Sequence, residues 1–416
     1  MYFLILLLAT FLLDFLKEMK AESWSNWLGP NYNGSVEGGS LTFPTEGNEF
    51  EVKWQIPVGS GWSSPVMDKK FVYIHDRVGE DEIVHCININ TGAEIWRHSY
   101  FSGYQDDFGM GNGPRSTPAF KNGILVTHGP QGLLHGLDLK TGKLKWVRDL
   151  KKEFKSPKGF FGRCASPLII GDLVILDVGG KTVGLVAFSS TTGKTEWFSK
   201  PYGNDYSSPV PFFSQGANLC LSFMRKGFLA VDLKTGREEF FVQFRSPMDA
   251  SVNAASPLIV GNQVLLSSCY EVGAGVWYYQ GNKDKNEFQF KEIWRKKEII
   301  DCHYSTPVAF GNYVYGFHGR QERRPTLRCI RLVDGKIMWE GPSMGSGNLI
   351  RLSDKLIVLL ETGELVILNA SPQGYDVLHR QQVLGAGTRA HFSFANGLLI
   401  ARDKRRLICL QLDKPK

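Results

Sequence analysis

Short apolar segments alternate with polar, glycine-containing turns along most of this chain, and the pattern recurs with a period of about 45 residues. Two features mark the repeating unit. A serine or threonine followed by proline opens six units: Ser64-Pro65, Thr117-Pro118, Ser166-Pro167, Ser208-Pro209, Ser256-Pro257 and Thr306-Pro307. A turn glycine with an aromatic residue four positions later closes five: Gly92 and Trp96, Gly142 and Trp146, Gly193 and Trp197, Gly236 and Phe240, Gly335 and Trp339. A fixed period of this length, built from short strands, predicts a β-propeller.

The second unit divides into four predicted strands joined by tight turns. We expect these strands near Ser116–Phe120, Ile124–His128, Leu133–Leu139 and Leu144–Leu150. Asn-Gly and Thr-Gly pairs supply the positive φ that hairpin turns need. Asn88, Asp138 and Asp232 precede the turn glycine by four residues, and we expect them to bind backbone groups of the turn. The aromatic residue of the last strand is expected to pack between adjacent units.

The two ends of the repeat complement each other. Units seven (Gly347–Leu384) and eight (Arg389–Leu412) lack the proline, and unit eight ends before its outer strand. Glu49–Val58, which contains Trp54, has the pattern of an outer strand, but the other three strands of a unit do not precede it. Pairing it with unit eight would remove the open strand edges. The sequence therefore predicts an all-β, eight-bladed propeller of four-stranded blades, forming a single domain over residues 49–416.

The N-terminus has the pattern of an export signal. The apolar run Tyr2–Leu13 is too short to span a bilayer but matches the core of a signal peptide. We assign residues 1–21 to a signal peptide and 22–48 to an N-terminal extension, with an uncleaved anchor as the alternative. No cysteine lies near the cleavage region, so a lipid anchor is not supported. We expect a periplasmic or otherwise exported, soluble protein with no stable membrane span after cleavage.

Charge and cysteine content narrow the function classes. The formal net charge is +7 and the basic residues are spread along the chain, so that a solvated surface is expected and nucleic-acid binding is not. Of the seven cysteines, Cys86, Cys329 and Cys409 share one register of the repeat, where Gly136 and Ala230 stand in other units. That position requires a small buried side chain, so we interpret these cysteines as structural thiols. The odd number leaves at least one cysteine unpaired.

Long, irregular connections should lie on one face of the ring. Connections from the outer strand to the next blade share a face with those between the two middle strands, and we call this the loop face. Ser99–Gly113, Lys151–Gly162 and Arg245–Val252 fall there, where function concentrates. Residues that precede the prolines, together with two later loop positions, form a candidate site for an anionic ligand: Trp62, Arg115, Arg163, Tyr206, Asn253, His303, Tyr304, Arg320 and Arg389. The alternative is that these arginines pair with carboxylates such as Asp205, Asp177 or Glu322 and seal the channel.

The motif Asp-x-x-Thr-Gly-x-x-x-Trp of Asp138–Trp146 resembles the tryptophan-docking repeat of PQQ quinoproteins. The chain is most similar to exported PQQ-binding-like propeller proteins of planctomycetes, many of which are compared with the propeller lipoprotein of the outer-membrane assembly machine. Further stretches that carry the resemblance are Trp24–Gly34, Gly113–Pro118, Ser251–Pro257, His303–Pro307 and Gly316–Glu322. The resemblance covers nearly the whole chain after the signal.

The resemblance implies a binding or scaffolding propeller rather than an enzyme. Quinoprotein dehydrogenases have a vicinal cysteine pair near the cofactor, calcium ligands and an aspartate base, and this chain has no Cys-Cys pair. No other catalytic signature is present, so we expect no catalytic residues, no metal site and no confidently assigned cofactor. The histidines, including His75, His128 and His318, and the Asp106-Asp107 pair are interpreted as satisfied or solvated polar groups. The expected partner is an envelope protein, a glycan or a small anionic ligand, bound by a monomer; the alternative is an oxidoreductase that uses PQQ or another cofactor.

Export predicts a processed N-terminus. Cleavage is expected between Ala21 and Ser23, just before the motif that begins at Trp24. N-terminal sequencing of the protein recovered from its native compartment tests this expectation. A sequence that begins at Met1 would contradict it and favour the uncleaved anchor.

Overall fold

The computed structural model describes residues 23–38, 41, 49–282 and 287–413. Within these residues, eight sheets contain 33 strands, numbered along the chain. The strands are β1 (Ser35–Val36), β2 (Glu51–Pro57), β3 (Val66–Met67), β4 (Phe71–Val78), β5 (Asp81–Asn88), β6 (Glu94–Phe101), β7 (Ala119–Lys121), β8 (Ile124–His128), β9 (Leu133–Asp138), β10 (Leu144–Asp149), β11 (Leu168–Ile170), β12 (Leu173–Asp177), β13 (Leu185–Ser189), β14 (Thr195–Phe198), β15 (Val210–Ser214), β16 (Ala217–Met224), β17 (Gly227–Asp232), β18 (Glu238–Gln243), β19 (Leu258–Val260), β20 (Gln263–Ser268), β21 (Gly273–Asn282), β22 (Glu287–Lys296), β23 (Val308–Phe310), β24 (Tyr313–His318), β25 (Thr326–Arg331), β26 (Ile337–Ser343), β27 (Gly347–Leu352), β28 (Lys355–Leu360), β29 (Glu364–Asn369), β30 (Val377–Gln382), β31 (Ser393–Ala395), β32 (Leu398–Arg402) and β33 (Arg406–Gln411). The described helices are α1 (Leu150–Phe154) and one 3₁₀ turn (Gln321–Arg323).

Each sheet contains one four-stranded antiparallel blade, and the eight blades form a β-propeller, as the sequence predicted. Blades one to seven take four consecutive strands each, from β3–β6 to β27–β30. Blade eight takes β31–β33 from the C-terminal end and β2 from the N-terminal end. Its register places Trp54 opposite Cys409. The predicted closure of the ring by the strand around Trp54 is therefore confirmed.

Indole rings join most blades to the next. Trp146 on β10 lies opposite Gly136 on β9, and a Cβ atom at Gly136 would collide with the indole ring. The other face of Trp146 covers the turn glycine Gly193 of blade three, where an added Cβ would lie 2.8 Å from the ring. The indole Nε1 donates to the carbonyl oxygen of Ser190 at 2.8 Å. One side chain therefore fixes both the spacing and the angle between two blades.

The same contact recurs around the ring. Indole Nε1 atoms donate to carbonyl oxygens of the next blade in four further cases: Trp54 to Ile89, Trp197 to Leu233, Trp294 to Leu332 and Trp339 to Ser371. The accepting turn is held in shape by its aspartate or asparagine, as expected. Asp232, next to the acceptor Leu233, accepts the backbone N–H of Thr235 at 2.8 Å and its hydroxyl at 2.7 Å. This turn presents both the glycine and the carbonyl group to the indole.

The register of Cys86, Cys329 and Cys409 is the position opposite this indole. These cysteines lie opposite Trp96, Trp339 and Trp54, and all three are buried. All seven cysteines are free thiols. A small side chain is required here because the indole lies flat across the neighbouring strand. The interpretation of these cysteines as structural thiols agrees with their burial.

The serine and threonine residues before the prolines form a second chain of contacts, close to the channel axis. In four of the six, the backbone N–H donates to the corresponding hydroxyl of the next blade, over distances of 2.9 to 3.2 Å: Thr117 to Ser166, Ser166 to Ser208, Ser208 to Ser256 and Ser256 to Thr306. The serine or threonine that opens these units is therefore explained by its hydroxyl group, which accepts a hydrogen bond from the preceding blade. The inner strands are thereby held in register around the channel.

Residues 23–38, assigned from the sequence to an extension, lie inside the ring. Trp24 pairs with Met67 of blade one through two backbone hydrogen bonds of 2.7 and 2.9 Å. The Trp27 indole donates to Ser256 Oγ of blade five at 2.9 Å, and the Tyr32 hydroxyl donates to the Ile169 carbonyl oxygen of blade three. Strand β1 then adds to β27 of blade seven. We call residues 23–38 the channel hairpin.

The strand directions orient this hairpin. Trp24 runs antiparallel to the inner strand of blade one, whereas β1 runs parallel to the inner strand of blade seven. The inner strands of all blades run in the same direction, from the loop face toward the opposite face. Both ends of the hairpin therefore lie at the opposite face. Its bend therefore points toward the loop face. Trp24 and Leu28 are each 1% exposed, so the hairpin is part of the core.

The assignments of residues 1–21 to a signal and of 22, 39–40 and 42–48 to the extension concern residues outside the described part of the chain. In the part described, no helix has both the length and the apolar character needed to cross a bilayer.

The closing strand provides a test of ring integrity. Replacing Trp54 by alanine removes the indole between blades eight and one, and we expect it to lower the free energy of unfolding by about 3–5 kcal/mol. Chemical denaturation followed by tryptophan fluorescence and circular dichroism measures the change. Val52→Ala, at a 45% exposed position on the same strand, is the matched control and should be nearly neutral. Equal effects of the two substitutions would contradict closure through Trp54.

Candidate functional site

A cavity of about 330 Å³ opens at the centre of the loop face. Connections between blades and the turns between middle strands surround it, and the channel hairpin lies beneath it. The sequence-derived candidates that line it are Trp62, Arg115, Tyr206, His303, Tyr304, Arg320 and Arg389. The structure therefore brings seven of the nine candidates around one space, which we call the loop-face cavity.

The bend of the channel hairpin closes the bottom of the cavity. Trp27 lines the cavity and contacts His391 edge-on, with 5.4 Å between ring centroids. His391 also stacks on Trp24, and its Nδ1 lies 2.7 Å from the Phe392 carbonyl oxygen. Burial lowers the pKa of His391 to about 4, so this ring is neutral at physiological pH. The cavity thus ends in an aromatic floor instead of an open channel.

Two arginines contact one tryptophan. The guanidinium carbon of Arg115 lies 4.7 Å from the Trp62 ring centroid, and that of Arg389 lies 4.5 Å from it. Trp62 belongs to the connection into blade one, while the arginines precede blades two and eight. Cation–π contact at this distance orients both guanidinium groups and limits their motion. The neighbouring blades thereby place two positive charges beside one flat apolar surface.

Arg115 forms an ion pair with the buried carboxylate of Asp106. Its Nη2 lies 3.2 Å from Asp106 Oδ1, and the two side chains are 8% and 1% exposed. Asp106 also accepts the backbone N–H groups of Phe108 and Met110, so it shapes the connection into blade two instead of being a solvated acidic turn. The Nε and Nη1 atoms of Arg115 are buried and have no hydrogen-bond partner among the described residues. Arg115 therefore has unused donors while it lines the cavity.

The other two arginines form ion pairs at the cavity. Arg389 Nε donates to Glu361 Oε1 at 2.7 Å, and the Tyr304 hydroxyl donates to the same oxygen at 2.7 Å. Burial and the nearby Glu361 charge raise the pKa of Tyr304, so its hydroxyl keeps its proton. Arg320 Nε lies 3.3 Å from Glu322 Oε2. Each of the three arginines that line the cavity is thus paired with a carboxylate.

His303 is a neutral member of the wall. Its Nε2 lies 2.9 Å from the Tyr270 hydroxyl, and Arg320 covers the Tyr270 ring at 4.7 Å. Burial lowers the pKa of His303 to about 4. Its Nδ1 is buried with no partner in the described part of the chain. His303 therefore offers a polar atom to a ligand without adding charge.

Large apolar side chains form the lip of the cavity. Phe108, Met110 and Phe160 are 55%, 37% and 36% exposed and come from the connections into blades two and three. Phe108 packs against Phe160 and Phe161, with ring centroids 6.0 and 5.4 Å apart. Exposed aromatic groups around a concave, mostly apolar surface are typical of a ligand site.

Two of the nine residues predicted from the sequence, Arg163 and Asn253, do not line the cavity. Arg163 is 4% exposed and directs its guanidinium to Ser156 and to the carbonyl oxygens of Pro130 and Gln131, so it stabilises neighbouring loops. Asn253 donates to the Met224 carbonyl oxygen and is 2% exposed. The alternative prediction, that these arginines pair with carboxylates, holds for Arg115 and Arg389. Their partners are Asp106 and Glu361, which the sequence did not indicate, whereas Arg320 pairs with Glu322, one of the carboxylates named from the sequence.

Several wall residues were missed by sequence reasoning. Tyr270 lies in a turn between middle strands, as does Glu361, which pairs with the wall residue Arg389; aligning these turns as well as the proline motifs would have found them. Phe161 lies in a long connection without a repeated position. Trp27 lies outside the repeat, so no periodic signal could place it beneath the cavity.

The cavity does not fit a calcium-bound quinone. Within the described residues, no group of three or more His, Cys, Asp or Glu side chains could hold a metal ion. The carboxylates Glu361 and Glu322 already pair with arginines. Cys164 is the cysteine that lines the cavity, and burial raises the pKa of its thiol to about 12. The side chains around the cavity therefore do not form the donor set that a quinone and its calcium ion would need.

Solved structures of similar fold include an assembly-factor propeller and quinoprotein dehydrogenases. BamB from Moraxella catarrhalis has a TM-score of 0.64 and 15% identity, over 89% of this chain and 99% of its own. A europium-containing methanol dehydrogenase has a TM-score of 0.65 and 12% identity, over 93% and 98%. The quinohemoprotein alcohol dehydrogenase from Comamonas testosteroni has a TM-score of 0.63 and 12% identity, over 97% and 83%. At these identities the likeness concerns the fold alone.

A search of curated proteins with this sequence finds no match. A family model, in contrast, matches residues 80–341, which span blades one to six. The expected resemblance to PQQ-like propellers is thereby confirmed. The chain belongs to the PQQ-like propeller family described as outer membrane protein assembly factor BamB.

Proposed function

We propose that this protein is a non-catalytic binding propeller of the cell envelope, and that its loop-face cavity holds a small anionic ligand. The observation that carries the ligand proposal is Arg115, whose nearly buried guanidinium lines the cavity with two donors unused among the described residues. A buried charge without sufficient partners costs free energy, and an anionic ligand would supply those partners.

The surroundings of Arg115 favour an anion at this position. Asp106, its carboxylate partner, does not line the cavity and is 1% exposed. The negative charge of Asp106 is further stabilised by backbone N–H groups of its own loop. The carboxylate that pairs with Arg115 therefore lies outside the lining of the cavity. Trp62 and Phe161 hold the guanidinium plane at 4.7 and 5.9 Å from their ring centroids.

Family membership supports the envelope setting. The family description and the similar Moraxella catarrhalis structure both name BamB, an assembly factor of the outer membrane. By analogy, this chain would be exported and would present its loop face to an envelope component. A rigid ring with a fixed cavity suits recognition, because its loops need not be ordered on binding.

The rival function is a quinone-dependent oxidoreductase. The fold is shared with methanol and alcohol dehydrogenases, but fold alone does not carry activity. Adding PQQ and Ca²⁺ and measuring dye-linked oxidation of methanol and ethanol separates the two classes. Alcohol-dependent dye reduction would favour the oxidoreductase; binding without turnover would favour the proposed module.

Arg115 and Arg389 should control binding of small acids. Calorimetry with benzoate, glucuronate and inorganic phosphate measures affinity for the unmodified protein and for the Arg115→Ala, Arg389→Ala double variant. We expect the acid that binds most tightly to lose about tenfold or more in affinity, since hydrogen bonds to charged groups are lost.

The control is Arg237→Ala, on an exposed arginine of the opposite face. It should bind like the unmodified protein, and unchanged thermal unfolding would show that the variants remain folded. The ligand proposal fails if none of the three acids binds, or if the double variant binds as well as the control.

Affinity for the bound acid should be nearly independent of pH between pH 8 and pH 6. Arginine stays protonated throughout, and His303, with a pKa near 4, stays neutral. A histidine of ordinary pKa, about 6.5, would instead become positive on acidification and strengthen anion binding. Calorimetry at pH 8, 7 and 6 distinguishes the two cases. A several-fold rise in affinity at pH 6 would show that His303 titrates in this range.

A further inference from the structure

A second cleft, of about 350 Å³, lies beside the lip of the loop-face cavity. Asp107 and Lys158 line this second cleft, and the ion pair between them, 2.7 Å long, joins the connections into blades two and three. Phe108 follows Asp107 directly, and Phe160 comes two residues after Lys158. Lys151 lines the second cleft as well. Charged and large apolar side chains therefore lie next to each other at this point of the loop face.

The connection into blade three is strongly basic. Residues 148–163 contain six basic and two acidic side chains. Both acidic groups are ion-paired with basic residues of the same segment, and Arg163 donates to loop carbonyl oxygens. Lys151 and Lys155 are exposed and form no ion pair with a described carboxylate. This connection therefore presents positive charge to solvent that its own carboxylates do not offset.

The tip of the connection into blade two is apolar and stands clear of the protein. Phe108 and Met110 are exposed there, and the exposed Phe160 packs beside Phe108. A Cβ atom at Gly109 or Gly111 would meet no atom of a more distant residue within 4 Å, so open space surrounds this tip. Apolar groups held in water favour a partner that covers them.

A layer of anionic lipid headgroups fits this combination of groups. A lysine carries its charge on a long apolar stem, so it reaches a headgroup phosphate while the stem stays beside apolar neighbours. Aromatic side chains next to basic residues enter the boundary between headgroups and acyl chains. Protein–protein interfaces, in contrast, are depleted of lysine relative to the rest of the surface. The exposed lysines therefore favour a lipid surface over a protein surface.

We propose that this part of the loop face docks on an anionic membrane surface. The side chains of Phe108, Met110 and Phe160 enter the leaflet at the level of the headgroups, while Lys151 and Lys155 contact headgroup phosphates. The second cleft, which Lys151 also lines, receives one headgroup. This inference goes beyond the proposed function, because it needs no ligand in the loop-face cavity.

Co-sedimentation with protein-free vesicles tests the docking surface. Vesicles of phosphatidylcholine alone are compared with vesicles that contain equal amounts of phosphatidylcholine and phosphatidylglycerol. We expect protein recovered from its native compartment to bind the mixed vesicles about tenfold or more tightly, and added salt to weaken this binding. The double variants Phe108→Ser, Phe160→Ser and Lys151→Gln, Lys155→Gln should each bind mixed vesicles about tenfold or more weakly.

Matched controls lie on the opposite face. Phe213 and Phe310 are 57% and 39% exposed and stand near the ends of the inner strands β15 and β23, and Lys140 and Lys143 are exposed in a turn of blade two. The double variants Phe213→Ser, Phe310→Ser and Lys140→Gln, Lys143→Gln should bind vesicles like the unmodified protein. All variants share one N-terminus, so any contribution from that segment is the same in each.

The outcomes separate this inference from the proposed function. Equal binding to both kinds of vesicle, no binding to either, or equal losses in loop-face and control variants would each overturn the docking surface, whatever the small acids do. The double variant Arg115→Ala, Arg389→Ala should still dock. If it loses vesicle binding and the loop-face variants keep theirs, the headgroup enters the loop-face cavity, and the docking surface is wrong while the anion site stands. Should one loop-face variant unfold, as thermal unfolding would reveal, the other variant and the vesicle comparison decide.

Discussion

The fold depends on an indole ring packed between neighbouring blades. At Trp146 the ring fits against Gly136 in its own blade and over Gly193 in the next, while its N–H donates to the Ser190 carbonyl oxygen. The indole ring excludes water from the interface between the two blades, and its directional hydrogen bond fixes its position there. Because the contact recurs through most of the ring, small inter-blade angles add up to closure. Trp54, supplied by the N-terminal strand, makes the contact between the last blade and the first.

When the ring closes, a channel remains along its axis. This channel has to be filled by another segment of the chain or lined by side chains of the blades. The inner ends of the blades are tied by serine and threonine hydroxyl groups that accept from the preceding blade. Inside them, the channel hairpin fills the axis with Trp24 and Leu28 and ends beneath the loop face with Trp27. The hairpin turns an open channel into a cavity with an aromatic floor. The site therefore depends on a segment that lies outside the repeat.

Electrostatics gives the cavity its character. Three arginines meet there, but Glu361 and Glu322 offset two of them, and Asp106 supports the third from outside the cavity. Burial keeps His303 and His391 neutral by lowering their pKa to about 4. The result is an aromatic surface that carries three arginines, each paired with a carboxylate. Such an arrangement suits selective binding more readily than proton transfer near neutral pH, since the histidines do not titrate there.

The sequence by itself determined the architecture, because each blade repeats the same local requirements. The proline motif, the turn glycine and the docking aromatic recur at fixed spacing, and the missing outer strand of unit eight identified Glu49–Val58 as its complement. The sequence also placed Trp62, Arg115 and Arg389 at corresponding positions near one mouth. Only the tertiary structure decided which side chains face the cavity. Arg163 turned to loop carbonyl oxygens and Trp27 came to lie beneath the site, because non-repeating loops and the hairpin are positioned by packing between distant segments, and no local pattern records that packing.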